Sequence, residues 1–168
     1  MKQKLSILIS FILLSGVVFG QEKVIDSLEI KRIDGIILNI MNGLKNASFK
    51  KVKVNPTKIR KDKSRQKIVA YLSGDDVVMI TSVENTSSVS YYFEKGAMIY
   101  KSYSIYDNNH SSCGTLYVTG SQYFKDNELI TSNETSQGHY PCPVILRQTI
   151  GFEEIYAYVK QQTKKSGQ

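Results

Sequence analysis

An eight-residue pattern occurs twice in this chain, and it constrains the fold more than any other feature. Residues 92–99 read YFEKGAMI and residues 123–130 read YFKDNELI. In both copies an aromatic pair is followed by two polar residues, then by Gly or Asn, and the last two residues are apolar. Gly and Asn tolerate the positive φ that tight hairpin turns require. A looser third copy, YLSGDDVV, occupies residues 71–78. The pattern predicts a β-hairpin that is used two or three times.

The surrounding sequence predicts an α+β protein. Residues 67–136 alternate between apolar and polar positions, which predicts an antiparallel meander of about six strands. An amphipathic helix is predicted over residues 21–45, packed on that sheet, and a short C-terminal helix over residues 150–164. The second helix has Glu153 and Glu154 in its first turn, where acidic side chains interact favourably with the positive end of the helix dipole. A small β-barrel is the alternative, since six strands can curl around a core.

The predicted N-terminal helix has apolar residues spaced by three and four along the chain, as one face of a helix requires. These residues are Ile25, Leu28, Ile33, Ile36, Ile37, Ile40, Met41 and Leu44.

The first 20 residues have the layout of a secretory signal peptide. Lys2 and Lys4 precede a mostly apolar run over residues 5–19, and Gly20 stands at a typical cleavage position before Gln21. The apolar run is shorter than the ~20 residues that a membrane-spanning helix needs. We therefore expect a periplasmic or secreted protein with one domain over residues 21–168 and no transmembrane segment after cleavage.

The hairpin repeats, YYFEKGAMI at residues 91–99 and QYFKDNELI at residues 122–130, resemble those of uncharacterised exported proteins from Gram-negative bacteria. In those proteins an N-terminal helix also precedes a small antiparallel sheet. The resemblance covers residues 68–132 and implies a periplasmic or secreted sheet domain. It implies no functional residue.

The two cysteines, Cys113 and Cys142, are predicted to form a disulfide, because an even count is typical of exported proteins. If the last hairpin turns near Asp126, both cysteines come to its open base. A disulfide that closes the loop between Cys113 and Cys142 would stabilise the fold by roughly 3–4 kcal/mol on the chain-entropy model. His110 and His139 would lie at the same base, where a Cys–His or metal site is the alternative. The spacing does not match known metal-ligand patterns, so we predict no metal.

Residues 46–66 are polar and basic, with no sustained periodicity, and are predicted to form a loop. Between Lys45 and Lys67 ten Lys or Arg residues face one acid, Asp62. Such a segment could bind an anionic envelope component or polysaccharide, or could be a solvated loop. Nucleic acid is disfavoured because Phe49 is the only aromatic residue available for stacking. The candidate residues are Lys50, Lys51, Lys53, Lys58, Arg60, Lys61, Lys63, Arg65 and Lys67.

Tyrosines in neighbouring predicted strands form a second candidate surface. Alternation puts Tyr100 and Tyr106 on one face of their strand, and Tyr103 and Ile105 on the other. Because tyrosine combines apolar area with a polar tip, a tyrosine-rich face could bind sugar or peptide, or could be half-buried core. The other members of this group are Tyr91, Tyr117, Tyr123 and Phe124.

The chain has no glycine-rich phosphate loop, no nucleophile elbow and no zinc-ligand run, so no catalytic residue or cofactor is predicted. We expect an exported non-enzymatic binding module that uses the sheet face and the basic segment to bind a ligand or a protein partner. One alternative is an inhibitor of a secreted hydrolase that inserts the turn at residues 94–96. The other is an enzyme with its site at the His110/His139 hairpin base.

Overall fold

The computed structural model describes residues 26–60, 65–107, 116–137 and 150–166. The chain divides into two compact units, Met1–Ile36 and Ile37–Gln168. In the first unit the described residues, 26–36, are helical. There the Arg32 guanidinium donates hydrogen bonds of 2.8 and 3.0 Å to the Glu29 carboxylate. This helix, α1, continues to residue 45 in the second unit. The predicted signal peptide lies outside the described residues.

The second unit is built on a seven-stranded antiparallel sheet whose spatial order follows the chain, with β1 and β7 at its two edges. The α+β class and the meander are therefore confirmed, and the sheet is open rather than a barrel. The elements are β1 (Lys50–Val54), β2 (Lys67–Ser73), β3 (Asp76–Glu84), β4 (Ser87–Glu94), β5 (Ala97–Asp107), β6 (Leu116–Lys125), β7 (Glu128–Gln137) and helix α2 (Phe152–Ser166).

The sheet has one strand more than the six that were predicted. The additional strand is β1, which lies within the segment predicted to be a loop, so the loop prediction is wrong over these residues. Val52 and Val54 pack with the hydrophobic core, whereas Lys50, Lys51 and Lys53 are exposed. The segment Lys51-Val52-Lys53-Val54 does alternate between polar and apolar residues, but the alternation is short and lysine is depleted in strands, so the basic composition favoured a loop. On an edge strand lysines are favourable, since charge discourages pairing with another chain.

The repeated hairpin is confirmed, and its geometry is the same in both close copies. Lys95 and Gly96 have φ of 49° and 89°, and Asp126 and Asn127 have φ of 52° and 66°. Positive φ at both central residues is typical of the tight turn that matches the twist of paired strands. Each aromatic pair also contains a register shift, between Tyr92 and Phe93 and between Tyr123 and Phe124. The looser copy has its own register shift, between Tyr71 and Leu72.

Helix α2 packs on one side of the sheet, which we call the α2 face, and forms the core there. Ile155 and Val159 of α2 are fully buried in one cluster with residues of β1 to β4. The Tyr91 ring lies 5.2 Å from that of Phe152. Burying an aliphatic side chain such as Ile155 or Val159 stabilises the fold by about 1.5–3 kcal/mol. The cluster's strand members are Val54, Ile68, Ala70, Leu72, Val77, Ile80, Val89, Tyr91 and Phe93.

A buried glutamine connects the start of α2 to the sheet. The Gln66 side chain is 2% exposed, and its Nε2 donates to Ser82 Oγ at 2.6 Å and to the Ile150 carbonyl at 3.2 Å. Its Oε1 accepts a hydrogen bond of 3.1 Å from the Ile150 N–H. Gln66 therefore pairs with the Ile150 backbone as a neighbouring strand would. Outside the core, Arg60 adds two hydrogen bonds, of 2.6 and 2.9 Å, to Glu154.

We predict that Gln66→Ala destabilises the protein by about 3 kcal/mol, because the buried N–H and C=O of Ile150 would lose their partner. Urea unfolding followed by circular dichroism measures this change. Lys67→Ala is the control, since the neighbouring Lys67 is exposed and its truncation should change the free energy of unfolding by less than about 0.5 kcal/mol. Equal effects of the two substitutions would show that the Gln66 hydrogen bonds do not stabilise the fold.

Candidate ligand-binding face

The side of the sheet opposite α2 has a distinctive composition over β5, β6 and β7. In β5 and β6, Ser102 pairs with Ser121 and Ser104 with Thr119, flanked by two tyrosine pairs. In β7, the partners of these β6 residues are again hydroxyl or amide side chains. We call this set the polar face, and it contains no charged and no aliphatic residue. It comprises Tyr100, Ser102, Ser104, Tyr106, Tyr117, Thr119, Ser121, Tyr123, Thr131, Asn133, Thr135 and Gln137.

The polar face exists because the strands keep a strict alternation after their register shifts. In β5, Tyr103 and Ile105 belong to the opposite side and pack together there. The intervening Tyr100 and Tyr106 therefore lie on the polar face, as alternation along the sequence predicted. Seven residues of β5, from Tyr100 to Tyr106, span about 20 Å, and the three strands are about 10 Å wide in total.

Tyrosines close both ends of the polar face. At the turn end, Tyr100 makes edge-to-face contacts with Tyr92 at 5.4 Å and with Tyr123 at 4.9 Å, measured between ring centroids. Tyr92 is buried, and its hydroxyl lies 3.7 Å from Met41 Sδ of α1. Burial, followed by the neighbouring Tyr100, raises the pKa of Tyr92.

At the other end, Tyr106 and Tyr117 pair directly across β5 and β6 and are 43% and 42% exposed. Their rings offer apolar area to solvent, whereas the rows of Ser and Thr between the two ends offer hydroxyl donors and acceptors. An elongated neutral molecule rich in hydroxyl groups would find both kinds of contact on this surface.

On the α2 face of the same strands, Tyr103 connects three strands. Its ring lies over Gly120 of β6, where a Cβ would overlap the ring, and its hydroxyl donates a hydrogen bond to the Glu134 carboxylate of β7. Lys101 Nζ lies 5.6 Å from the ring centroid, within range of a cation–π contact. Burial lowers the pKa of Lys101, while the charge of Glu153 acts in the opposite direction.

Burial, followed by the hydrogen bond and the charge of Glu134, raises the pKa of Tyr103 to about 12. A group whose pKa is raised by folding contributes its full stabilisation below its usual pKa, here 10.0, and loses it as the pH rises through the folded value. We predict that the free energy of unfolding falls between about pH 10 and pH 12, and falls less steeply in Tyr103→Phe and in Glu134→Gln.

Urea unfolding across this pH range measures the slope for each variant. Tyr103→Phe keeps the ring over Gly120 and removes the ionisable hydroxyl together with its hydrogen bond to Glu134, so the slope with pH, rather than the free energy at a single pH, is the quantity to compare. Slopes that are the same in all three proteins would contradict the assigned role of the Tyr103–Glu134 pair.

The structure distributes the basic residues over several elements instead of one loop. Lys51 and Lys53 project from the side of β1 opposite the core-facing Val52 and Val54, and Lys67 of β2 projects to that same side. Arg60 is paired with Glu154 of α2. The remaining described members, Lys50, Lys58 and Arg65, are exposed, whereas Lys61 and Lys63 lie outside the described residues.

The hairpin-base site involves residues that the structure does not describe. Cys113, Cys142, His110 and His139 all lie outside the described ranges, so the disulfide and the Cys–His or metal site stay predictions. Within the described ranges, no group of three His, Cys, Asp or Glu residues is arranged to hold a metal ion. The helices of those ranges are too short or too polar to cross a membrane.

The turn proposed for a hydrolase inhibitor, at residues 94–96, lies next to α2. A Cβ added at Gly96 would come within 3.3 Å of the Tyr156 hydroxyl. The Phe93 ring, just before the turn, packs on Tyr156 at 4.8 Å. This packing restrains the turn from one side.

Comparison of the chain with protein-family models, curated proteins and solved structures finds no match.

Sequence reasoning placed Tyr100 and Tyr106 on one side of their strand, but it grouped them with Tyr91 and Tyr103, which lie on the α2 face. It did not identify the Ser, Thr and Asn rows of the polar face. The signal was present in β7, where the segment TSNETSQ places hydroxyl or amide residues at every second position. It became specific only with the registers of two strand pairs, which bring these positions beside those of β5 and β6.

Proposed function

We propose that this protein is an exported, non-enzymatic binding module that holds a neutral polysaccharide on the polar face. The observation that carries the proposal is the composition of that face, whose twelve side chains are all tyrosine, hydroxyl or amide residues. Carbohydrate chains have apolar ring faces and many hydroxyl groups, and both find partners on such a surface.

The contacts would divide between the end and the middle of the polar face. Tyr106 and Tyr117 are half-exposed and supply the aromatic area against which sugar rings can pack. Ser102, Ser104 and Thr119 lie between the tyrosine ends and can donate and accept hydrogen bonds with sugar hydroxyls. Because the surrounding strands belong to one hydrogen-bonded sheet, these groups are already in place before a ligand arrives, which lowers the entropic cost of binding.

A neutral ligand is favoured over an anionic one for this surface because the polar face carries no cationic side chain. The lysines on the same side of the sheet, Lys51, Lys53 and Lys67, belong to β1 and β2, at the far edge. Lysines on an exposed edge strand also have a structural role, since they discourage edge-to-edge pairing. We infer that the basic residues make at most an auxiliary contact with an anionic group.

We predict that the double substitution Tyr106→Ala/Tyr117→Ala weakens polysaccharide binding at least tenfold, because large exposed aromatic side chains are typical binding hot spots. Retention on insoluble chitin, cellulose and starch identifies the polymer. Calorimetric titration with its soluble oligomers then gives the dissociation constant.

The control is Val83→Ala/Leu129→Ala, which truncates two large side chains that are 42% and 53% exposed and lie outside the polar face. This variant should bind as the unchanged protein does. Failure of the unchanged protein to bind any neutral polysaccharide, or an equal loss in both variants, would overturn the proposal.

Salt distinguishes the two candidate surfaces. Binding through the uncharged polar face should change little as the salt concentration rises, whereas binding through lysines should weaken because salt screens exposed charges. We predict that Lys51→Ala/Lys53→Ala/Lys67→Ala leaves the affinity for the neutral oligomer within about twofold. A large loss, together with strong salt dependence, would instead assign the ligand site to the basic residues.

A further inference from the structure

The two edges of the sheet differ in a way that bears on self-association. Edge strand β1 has five residues, three of which are exposed lysines. Edge strand β7 has ten residues, and only Glu128 and Glu134 among them are charged. Natural sheets protect their edges with short strands and with lysines. Strand β1 has both devices, and β7 has neither.

The outer side of β7 is available for pairing within the part of the chain that the structure describes. There β7 has β6 as its one neighbouring strand, so its second row of backbone N–H and C=O groups faces away from the sheet. Six of its last seven side chains, residues 131–137, are exposed. Beyond the register shift at Ile130, those seven residues pair with β6 in one unbroken register.

We propose that β7 pairs with β7 of a second copy of this chain, antiparallel, around a twofold axis at Asn133. This inference does not depend on the proposed ligand. Rotation by 180° about an axis perpendicular to the sheet reverses the strand direction and keeps each face on its own side. The two sheets then become one continuous antiparallel sheet, and the twofold axis makes the dimer isologous.

Side-chain charges select the register. With the axis at Asn133, Thr131 lies opposite Thr135 of the second copy and Ser132 lies opposite Glu134, and both pairs are favourable or neutral. An axis at Glu134 would set two carboxylates against each other. An axis at Ser132 would place Ile130, the extra residue of the β6–β7 register shift, opposite Glu134.

The same geometry favours a second copy over an unrelated peptide. The rotation places the polar face of the second copy directly beside the first, because Thr131, Asn133 and Thr135 lie on that face in both. The dimer would therefore join two uncharged faces into one surface of about twice the width, with no charged residue along the seam on that side.

Cysteine cross-linking tests the register directly. Across the axis the two copies of Asn133 would have Cα atoms about 4.5–5.5 Å apart, which is within disulfide range. We expect Asn133→Cys to form a covalent dimer under mild oxidation. The matched control is Thr135→Cys, because its two copies would be about 14 Å apart. The unchanged chain supplies the background from Cys113 and Cys142.

A charge exchange tests the same interface in solution without a covalent link. In Thr131→Lys/Thr135→Lys the substituted positions face each other across the axis as like charges. In Thr131→Lys/Thr135→Glu they face each other as opposite charges. We expect the first variant to raise the dimer dissociation constant at least tenfold relative to the second, as measured by sedimentation equilibrium in the absence of polysaccharide.

Dimers that cross-link through Asn133→Cys but not Thr135→Cys, and that separate only with like charges, support the proposal. A chain that stays monomeric at every concentration overturns it, and an extended segment of another protein would then be the occupant to seek. The proposal is also overturned if the two charge variants have the same dimer dissociation constant, or if both cysteine variants cross-link equally. In either case the dimer would form through another surface. Since no ligand is present, none of these outcomes reports on polysaccharide binding.

Discussion

The register of the hairpins is the constraint on which the rest of the structure depends. Each close copy of the repeat turns through two residues with positive φ and then shifts register within its aromatic pair. The turn chemistry sets where the strands begin to pair, and the register shift sets which side chains share a side afterwards. A slip by one residue would exchange the two faces of the sheet, taking Ile105 and Val118 out of the core and the hydroxyl rows into it.

The two sides of the sheet consequently have separate roles. The α2 face holds the large core cluster over β1 to β4, and beyond it Tyr103 packs with Ile105 and Val118. That packing and the Tyr103–Glu134 hydrogen bond hold β5, β6 and β7 together from one side. Over β5 and β6 the buried residues Ile105 and Val118 therefore lie on the α2 face and not on the polar face. The polar face is consequently a row of hydroxyl and tyrosine side chains, none of which belongs to the buried core of the described residues.

Much of the fold could be predicted from local sequence, because a hairpin is a local structure. The turns, the alternation and the terminal helices all depend on residues that are near one another in the chain, and those predictions are confirmed. Strand β1 was missed because its lysine-rich composition is typical of a loop. In addition, a 3-10 helix at Pro56–Lys58 separates β1 from its partner β2 in the chain. The core-side role of Tyr103 was also missed, because its partner Glu134 is two strands away.

The sequence by itself determined the hairpin repeat, the class of fold and the side of their strand that Tyr100 and Tyr106 share, because residue type and spacing encode turns and alternation directly. The tertiary structure decided which surfaces those elements form together. It set three strands side by side so that their uncharged positions form one face. It also buried Gln66 against Ile150 to position α2, and it placed a lysine-rich strand at one edge of the sheet and a nearly neutral strand at the other. These are relations between residues far apart in the chain, and only the packing of the strands brings them together.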